Sequence, residues 1–280
     1  MRDPADGCMY LYRYLICPFE EDADFAIQQL RKHEDALAGC PNVMRVIGAS
    51  TSFASPWVSS SSGAQQGLVH CVVCVLSFAP GGQCADRVVA ASKLAQPKKA
   101  FQMEPRKYPG DPGTRVVGND EIVSWARDAA AGLRALHAAG LTHRNLHPRN
   151  VHLNARGRAV LTSFQVLKNP RAPGDLYSWG RADCGSPLVL APEVESGHPV
   201  SPAADMWALG VCVLAWCTGD VDGGGVTATA KERPLEDLLR AVPRRFGGSI
   251  RSCLRMCLQH HPAKRASATD VWKVLSVSKK

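Results

Sequence analysis

The residues best suited to chemistry lie in two short polar segments near the middle of the chain. The first, residues 143–150, reads His-Arg-Asn-Leu-His-Pro-Arg-Asn, and the second, residues 163–165, reads Ser-Phe-Gln. A neutral amide cannot accept a proton at pH 7, and a histidine is mostly neutral there. Because neither segment contains Asp or Glu, no carboxylate in them can act as a general base or as a charged metal ligand.

Regular elements on both sides are expected to position these segments. Residues 119–139 predict a helix capped by Asn119, because apolar residues recur along one stripe. Residues 151–153 and 159–162 are expected to pair as a hairpin. Residues 203–218 are apolar on nearly all sides, which indicates a buried helix. The first polar segment is therefore expected between a long helix and a strand.

The remaining patterns predict a smaller mixed region before residue 78 and more helices towards the end of the chain. Residues 9–17 and 68–76 favour strands, and acidic residues after residue 19 begin a helix that Gly39 ends. Residues 51–67 are rich in Ser and Gly and predict a loop, and residues 95–117 predict an irregular insert. Further helices are expected at residues 235–242, 249–259 and 267–277.

The composition is that of an ordinary folded protein, and it argues against some functions. Hydrophobic residues make up 45% of the 280 residues and charged residues 21%, so wholesale disorder is not expected. The net charge is +8, but the basic residues are scattered and no basic patch contains interleaved aromatic residues. Nucleic acid is therefore not expected as a partner.

The eleven cysteines are expected to be free thiols. Cys71 and Cys74 lie in an apolar strand pattern, and Cys253 and Cys257 are similarly close, but neither pair has a second pair of zinc ligands. The sequence predicts neither a signal peptide nor a transmembrane segment. These features favour a cytoplasmic protein, because thiols stay reduced there.

Five motifs in one order make the chain resemble a protein kinase. Residues 143–150 resemble the catalytic loop, HRD-L-x-x-x-N, and residues 163–165 stand where kinases carry DFG. Residues 191–193 match the APE motif without change. Residues 205–210, Asp-Met-Trp-Ala-Leu-Gly, resemble the signature of a buried kinase helix. Residues 261–265 resemble the segment whose arginine pairs with the APE glutamate.

The resemblance implies an α+β, bilobal protein-kinase-like fold. Residues 1–77 would form the N-lobe, with one helix and three strands, residues 78–83 the hinge, and residues 84–280 a mainly helical C-lobe. Only 12 residues precede Arg13, which stands at the position of the kinase strand lysine. That is too few for the two strands and glycine-rich loop that cover the phosphates in kinases. The N-lobe sheet is therefore expected to be reduced and to lack that loop.

Compared with kinases, the residues for phosphoryl transfer have changed. Asn145 replaces the catalytic aspartate, and Ser163 replaces the metal-binding aspartate of DFG. His147 replaces the lysine that meets the γ-phosphate. Asn150, the second metal ligand, is kept, but it supplies only one neutral oxygen. The resemblance therefore implies that no catalytic residues remain at these positions.

The positions that would hold ATP are altered as well. Arg13 replaces the strand lysine, and Leu30 replaces its glutamate partner, with Glu34 one turn further on as an alternative. Leu11 and His152 would fill the adenine pocket. Weak or no ATP binding and no cofactor are therefore expected. ATP and Mg²⁺ would be cofactors only if the chain were an active enzyme. The vestigial ATP site would comprise Asn150, Arg13, Leu76, Ser77 and Ala79.

Residues that hold the C-lobe together in kinases are kept. Asp205 is expected to accept hydrogen bonds from the catalytic-loop backbone, and Glu193 is expected to form a buried ion pair with Arg265. Arg144 could bind a phosphorylated segment, but packing is favoured. The residues with expected structural roles are His143, Arg144, Phe164, Glu193, Asp205 and Arg265.

The residues that hold the C-lobe together are kept, whereas those for phosphoryl transfer have changed. This combination predicts a pseudokinase that acts as a protein-binding scaffold or allosteric regulator. Residues 26–42, 78–83, 155–157 and 204–210 resemble the Numb-associated kinases, which include the adaptor-associated and cyclin-G-associated kinases. If that resemblance carries the role with it, the partner would be an active kinase or an endocytic adaptor.

Two alternatives remain open. In the first, the chain is a divergent active serine/threonine kinase or another nucleotide transferase using ATP, and Asp175 or Asp183 replaces the missing acid. In the second, the chain is a plain binding module that contacts its partner through residues 95–117 or residues 165–190.

Overall fold

The structure is a computed structural model that describes six stretches of the 280-residue chain. The described residues are 9–17, 19–54, 69–94, 117–165, 189–222 and 225–277. Apart from their end residues, the insert expected at 95–117 and the segment 165–190 lie outside the described residues. Asp175 and Asp183 lie outside them too.

The chain divides into two compact units. The described residues of the small unit are 9–17, 19–40, 44–54 and 69–78 with Gln165. Those of the large unit are 41–43, 79–94, 117–164 and the described residues after 188. The chain therefore enters the large unit briefly at 41–43 before the small unit is complete.

In the residues that the structure describes, the small unit contains three strands and one helix. The strands form an antiparallel sheet with the last strand in the middle. Aromatic and β-branched residues favour the two strands at residues 10–17 and 69–77, and three acids in the first turn of the helix stabilise its N-terminus. The elements are β1 (Tyr10–Cys17), α1 (Glu20–Leu37), β2 (Val46–Ala54) and β3 (Val69–Ser77).

One face of this sheet and the inner side of α1 form the core of the small unit. Residues two apart in a strand point to the same face, and Leu15 and Cys17 of β1 are buried with Val72 and Cys74 of β3. Helix α1 contacts all three strands. Its Leu30 is 1% exposed, so the aliphatic residue at this position is part of the core.

Strand β2 is longer than the Ser/Gly-rich pattern indicates. The predicted loop began at residue 51, but residues 51–54 still pair with β3. Thr51 and Ser52 are exposed. Polar residues are tolerated here because the ladder of hydrogen bonds to β3 stabilises the strand without help from burial of these side chains.

The large unit is mainly helical, with one hairpin. None of the helices in the described stretches is both long and apolar enough to cross a membrane. Nine cysteines fall in the described part of both units, all as free thiols, and eight of these are buried. The elements of the large unit are α2 (Cys84–Leu94), α3 (Asn119–Ala138), β4 (Val151–Leu153), β5 (Ala159–Leu161), α4 (Pro192–Glu195), α5 (Pro202–Thr218), α6 (Leu235–Ala241), α7 (Gly248–Cys257) and α8 (Ala268–Val277).

Helix α5 lies at the centre of the large unit. Every residue from Ala204 to Cys217 is buried, as its apolar pattern indicates. Helices α3 and α7 both pack against it. Gly210 permits the close approach of α7, because a Cβ atom there would lie 2.7 Å from Leu258 Cδ2 and 2.8 Å from Cys257 Cβ.

Residues 41–43 bond to the outer edge of the hairpin of the large unit through an isolated bridge. Val43 bridges Leu161 in parallel, and the Asn42 carbonyl accepts a hydrogen bond from the Leu161 N–H (2.8 Å). The Asn42 side chain donates to the Ala159 carbonyl (3.0 Å). The absence of a side chain at Gly132 on α3 leaves room for this segment, because a Cβ there would lie 2.7 Å from the Asn42 carbonyl oxygen.

Two local features differ from the sequence patterns. Asn119 is the first helical residue of α3 and not its cap, which is Gly118. The Asn119 side chain instead accepts from the Gly247 N–H, 128 residues away (2.9 Å). The short helix α2 has no counterpart among the predicted elements, because it follows the breaking residues Pro80–Gly82 directly.

We predict that Gly210→Ala destabilises the protein. The added methyl group would overlap Leu258 and Cys257 in a packed core, which costs about 1–3 kcal/mol of unfolding free energy. Urea unfolding measures the change. Gly248→Ala is the matched control, since a Cβ there meets no atom within 4 Å, and it should change the unfolding free energy by less than about 1 kcal/mol. Equal stability of Gly210→Ala and the wild type would contradict this packing of α7 on α5.

Candidate functional site

A buried carboxylate holds the first polar segment in place. Asp205, on α5, is 2% exposed and accepts hydrogen bonds from the backbone N–H of His143 (2.8 Å) and Arg144 (3.0 Å). The His137 ring on α3 lies within hydrogen-bonding distance of Asp205 Oδ2 through Nε2 (2.9 Å). These three bonds fasten the start of residues 143–150 to two helices.

Side-chain amides connect the two polar segments of the site. Asn145 donates from Nδ2 to the Ser163 carbonyl (2.9 Å), and Asn150 donates from Nδ2 to the Asn145 carbonyl (2.8 Å). Arg144 and Ser163 have φ values of 62° and 60°, a conformation that most residues avoid. The structure therefore brings Asn145, Asn150 and Ser163 together, as the kinase resemblance implies.

The hairpin supports this arrangement from behind. Thr162, directly after β5, donates to the Asn150 carbonyl from both its N–H (2.9 Å) and Oγ1 (3.0 Å). His152 on β4 lies 2.9 Å from Thr162 Oγ1 through Nδ1. Burial lowers the pKa of His152, so this ring favours the neutral form. His152 thus forms part of a hydrogen-bonded support in the large unit.

His147 is held as a neutral acceptor. Its Nδ1 accepts from the Arg149 N–H (3.3 Å), which begins the short 3₁₀ helix at Pro148–Asn150. Burial, together with the positive charge of Arg149 and the neighbouring His152 ring, lowers the pKa of His147 to about 4. The residue at the position of the γ-phosphate lysine therefore carries no positive charge at pH 7.

Arg149 links the catalytic-loop segment to two other parts of the large unit. It donates to Asp222 through Nε (2.9 Å) and also through Nη2, and to Asp86 and Gln83 through Nη1 (3.4 Å each). A cavity of about 170 Å³ lies beside it. The cavity is lined by His147, Pro148, Arg149, Val189, Val211, Ala215, Asp220, Val221, Asp222 and Thr227.

The expected ion pair behind the APE motif is present and buried. Arg265 donates to both Glu193 oxygens, from Nη1 (2.6 Å) and Nη2 (2.7 Å). The same guanidinium satisfies the carbonyls of Ala203, Gln259 and His260. Burial raises the Glu193 pKa, but the hydrogen bonds from Arg265 and the backbone outweigh burial and lower the pKa overall.

The other expected ATP-site residues are divided between the two units. Arg13 lies on β1 opposite Cys74 of β3, and it is half-buried. Leu76 is 2% exposed near the end of β3, and Ser77 accepts from the Arg45 N–H through Oγ (3.0 Å). Ala79 belongs to the large unit and is buried. Phe164, next to Ser163, is 1% exposed and packs in the core of the large unit.

Three contributors to the site are absent from the sequence prediction. His137 lies on the predicted helix, but its contact with Asp205 spans 68 residues. Arg149 occupies an unspecified position of the catalytic-loop pattern, and its partners lie 63 or more residues away. Asn42 follows a proline in a turn. The sequence pattern around each of these residues concerns only its neighbours in the chain. Each of the three interactions joins segments that are far apart in the sequence, so the pattern could not predict it.

The chain is similar to protein kinases in two comparisons with known proteins. Residues 22–274 match the family model described as protein kinase domain. Serine/threonine-protein kinase H2 of Homo sapiens is 30% identical over 151 residues, which are 53% of this chain and 33% of that protein. Serine/threonine-protein kinase PkaB of Streptomyces coelicolor is 30% identical over 166 residues, 56% of this chain and 39% of that protein. The matched part thus spans well under half the length of these relatives.

The similarity overturns the expectation that the domain uses no cofactor. Protein kinases act on ATP together with Mg²⁺. Similarity to serine/threonine kinases at about 30% identity, together with the family match, therefore implies the same ligands. The changes at Asn145 and Ser163 bear on the transfer step and do not remove this implication.

The residues at the metal positions fit Mg²⁺ in donor type but supply less charge than in kinases. Asn150 and Ser163 carry oxygen donors, which Mg²⁺ prefers, but neither is a carboxylate. Within the described stretches, no group of three or more His, Cys, Asp or Glu side chains is arranged to hold a metal ion. ATP, when bound, would supply the phosphoryl group, and Asn150 and Ser163 are the side chains that would meet its metal ion.

We predict that His147 makes folding stability depend on pH. Its pKa of about 4 in the folded protein lies below the unfolded value near 6.5. Its stabilising contribution is therefore complete above pH 6.5 and is lost as the pH falls towards 4. His147→Asn keeps a side-chain acceptor for the helix start and should flatten the decline in unfolding free energy between these pH values.

His261→Asn is the matched control for this experiment. His261 also precedes a proline and accepts from the N–H two residues on (3.2 Å), but it is exposed. Chemical unfolding at several pH values compares the two variants. If His261→Asn flattened the profile as much as His147→Asn, the burial of His147 would not be the cause.

Proposed function

Because the chain belongs to the protein kinase domain family, we propose that it is a catalytically inactive member, a pseudokinase that works by binding other proteins. Asn145 is the observation that carries this proposal. It stands where kinases have the aspartate that orients and accepts the proton from the substrate hydroxyl. Its Nδ2 is a donor in the site, bonded to the Ser163 carbonyl, and an amide has no basic lone pair to offer at neutral pH.

The charges that stabilise phosphoryl transfer are reduced at two further positions. Ser163 replaces a metal-binding carboxylate, and His147, with a pKa of about 4, is neutral where kinases have a lysine. Phosphoryl transfer relies almost entirely on positioning and charge stabilisation, and a general base alone typically contributes about 10²–10⁴-fold. Combined changes at the base, the metal ligand and the lysine support a loss of transfer.

The architecture around the site supports a binding role. Asp205 still holds the catalytic-loop backbone through His143 and Arg144, and Glu193 still pairs with Arg265. A buried carboxylate and a buried ion pair are costly unless their partners are present. These interactions stabilise a shaped surface whether or not transfer occurs, which suits a scaffold or an allosteric regulator.

The nature of the partner is proposed from the subfamily resemblance. Residues 26–42 and 204–210 resemble those of the Numb-associated kinases, so we propose a cytoplasmic protein partner, either an active kinase or an endocytic adaptor. Likeness of fold is a weak argument for role, and a pull-down with the full chain as bait tests it directly.

We predict that the wild-type chain does not transfer phosphate. The assay measures incorporation of radiolabelled phosphate from ATP, with Mg²⁺, into a generic protein substrate and into the chain itself. Incorporation by the wild type should equal that of Asn150→Ala, because the base position is already neutral. Asn145→Ala and Ser163→Ala should likewise leave the signal unchanged, whereas substitutions at these positions disable an active kinase.

A serine/threonine kinase of demonstrated activity on the same generic substrate, assayed in parallel, is the positive control. Thermal unfolding of each variant confirms that it is folded. Wild-type incorporation well above background that disappears in Asn150→Ala would replace this proposal with the alternative of a divergent serine/threonine kinase or nucleotide transferase.

A further inference from the structure

The last third of the large unit carries most of the protein's excess positive charge. Between Leu238 and Thr269 the sequence has seven Lys and Arg residues and no Asp or Glu, and the net charge of the whole chain is +8. A run of like charges is usually a solvated surface. The structure separates those cations that stabilise the fold from those that do not.

Two of the seven cations have structural partners. Arg265 is buried against Glu193. Arg251, on α7, donates to the carbonyls of Leu239 (2.6 Å) and Val242 (3.0 Å) at the end of α6. Because both guanidinium groups are occupied by these contacts, we do not assign either residue to a binding surface.

The other five cations, which we call the basic band, are exposed to solvent. Arg240, Arg244, Arg245, Arg255 and Lys264 are all exposed. Arg240 pairs with Asp237, and the Arg245 guanidinium lies 4.7 Å from the ring centre of Phe246. None of Arg244, Arg245, Arg255 and Lys264 forms an ion pair with another described residue.

Hydrogen bonds hold the segments of the basic band together. Arg251 ties the loop after α6 to α7, and Arg255 lies one turn further along that helix. The Ala266 N–H donates to the Met256 carbonyl (3.0 Å), which fastens the segment of Lys264 beside the end of α7. The Gly247 N–H is held by Asn119 (2.9 Å). The cations therefore project from a backbone that is already ordered, which lowers the entropic cost of binding.

We propose that the basic band is a docking surface for a carboxylate-rich segment of a partner protein. Four of the five cations are arginines, whose planar guanidinium groups can each bind a carboxylate through two parallel hydrogen bonds. An excess of exposed positive charge, of which only Arg240 is paired with an acid in the described residues, attracts such a segment and accelerates its association. This proposal does not depend on whether the site transfers phosphate.

The surface around the band favours an acidic protein over nucleic acid or a membrane. Single-stranded nucleic acid is bound by cations interleaved with exposed aromatic rings, and membrane-surface helices insert large apolar side chains. In the described stretches, the exposed large apolar residues of the large unit are limited to Val277. Phe246, the aromatic residue within the band, is 1% exposed.

Binding of a fluorescein-labelled oligoglutamate peptide to the full chain tests the proposal by fluorescence anisotropy. Arg244→Glu/Arg245→Glu should weaken binding by at least about tenfold, because like charges then face each other. Arg255→Glu/Lys264→Glu should also weaken it, as an independent pair in the same band. Raising the ionic strength from about 0.05 M to about 0.3 M should weaken wild-type binding, since screening shortens the reach of each charge.

Arg31→Glu/Lys32→Glu is the matched control. These two residues are adjacent and exposed on α1 of the small unit, and their reversal changes the net charge by the same amount. Binding should stay within about twofold of the wild type. An equal loss in this control would mean that net charge, not the band, attracts the peptide, and the proposal would fail.

Two further probes decide the class of partner. Vesicles containing phosphatidylserine and a single-stranded oligonucleotide are titrated into the wild type and into Arg244→Glu/Arg245→Glu. Weaker binding to both than to oligoglutamate supports the proposal. Tighter, band-dependent binding to either would overturn it in favour of a membrane or a nucleic acid. Circular dichroism and thermal unfolding establish that each variant is folded.

Discussion

The architecture of the large unit depends on one buried carboxylate. Asp205 comes from the most buried helix of the protein, and its oxygens reach the backbone of His143 and Arg144 as well as the ring of His137. An ionised carboxylate out of water is unfavourable unless donors surround it, so the loop must stay where its N–H groups can reach Asp205. Every other feature of the site, from Asn145 to Asn150, is positioned relative to that anchor.

The site carries fewer charged side chains than the kinase motifs that it resembles, and its backbone is held by specific hydrogen bonds. Asn145 and Ser163 are joined by a direct hydrogen bond. Ser163 has a left-handed backbone conformation although it is not a glycine. Such a conformation persists only where the surroundings impose it. The surrounding fold imposes it here through Asp205, Thr162 and the hairpin. Sequence change at the site has therefore altered side chains without releasing the loop that carries them.

Sequence reasoning located the elements with strong periodicity and missed the interactions between distant segments. The all-round apolar pattern of α5, the aromatic-rich β1 and the apolar run of β3 are local signals, and the structure has these elements within a residue or two of the predicted bounds. Asn119 was expected to cap α3, but its side chain bonds to Gly247, which the local pattern does not contain. The role of Asn42 and the pairing of His137 with Asp205 depend on the fold as a whole. The expectation of no cofactor is wrong because altered residues at the metal and adenine positions, such as Ser163 and Leu11, do not by themselves exclude the ligands that the family match implies.

The segment at residues 41–43 limits where this protein can be divided. Its hydrogen bonds to Ala159 and Leu161 complete the hairpin of the large unit, yet it lies in the chain between α1 and β2 of the small unit. A gene fragment that begins after residue 78 would encode a hairpin with an unpaired edge, an edge that other chains can join. The two units are distinct as compact bodies, but they are not separable as pieces of polypeptide.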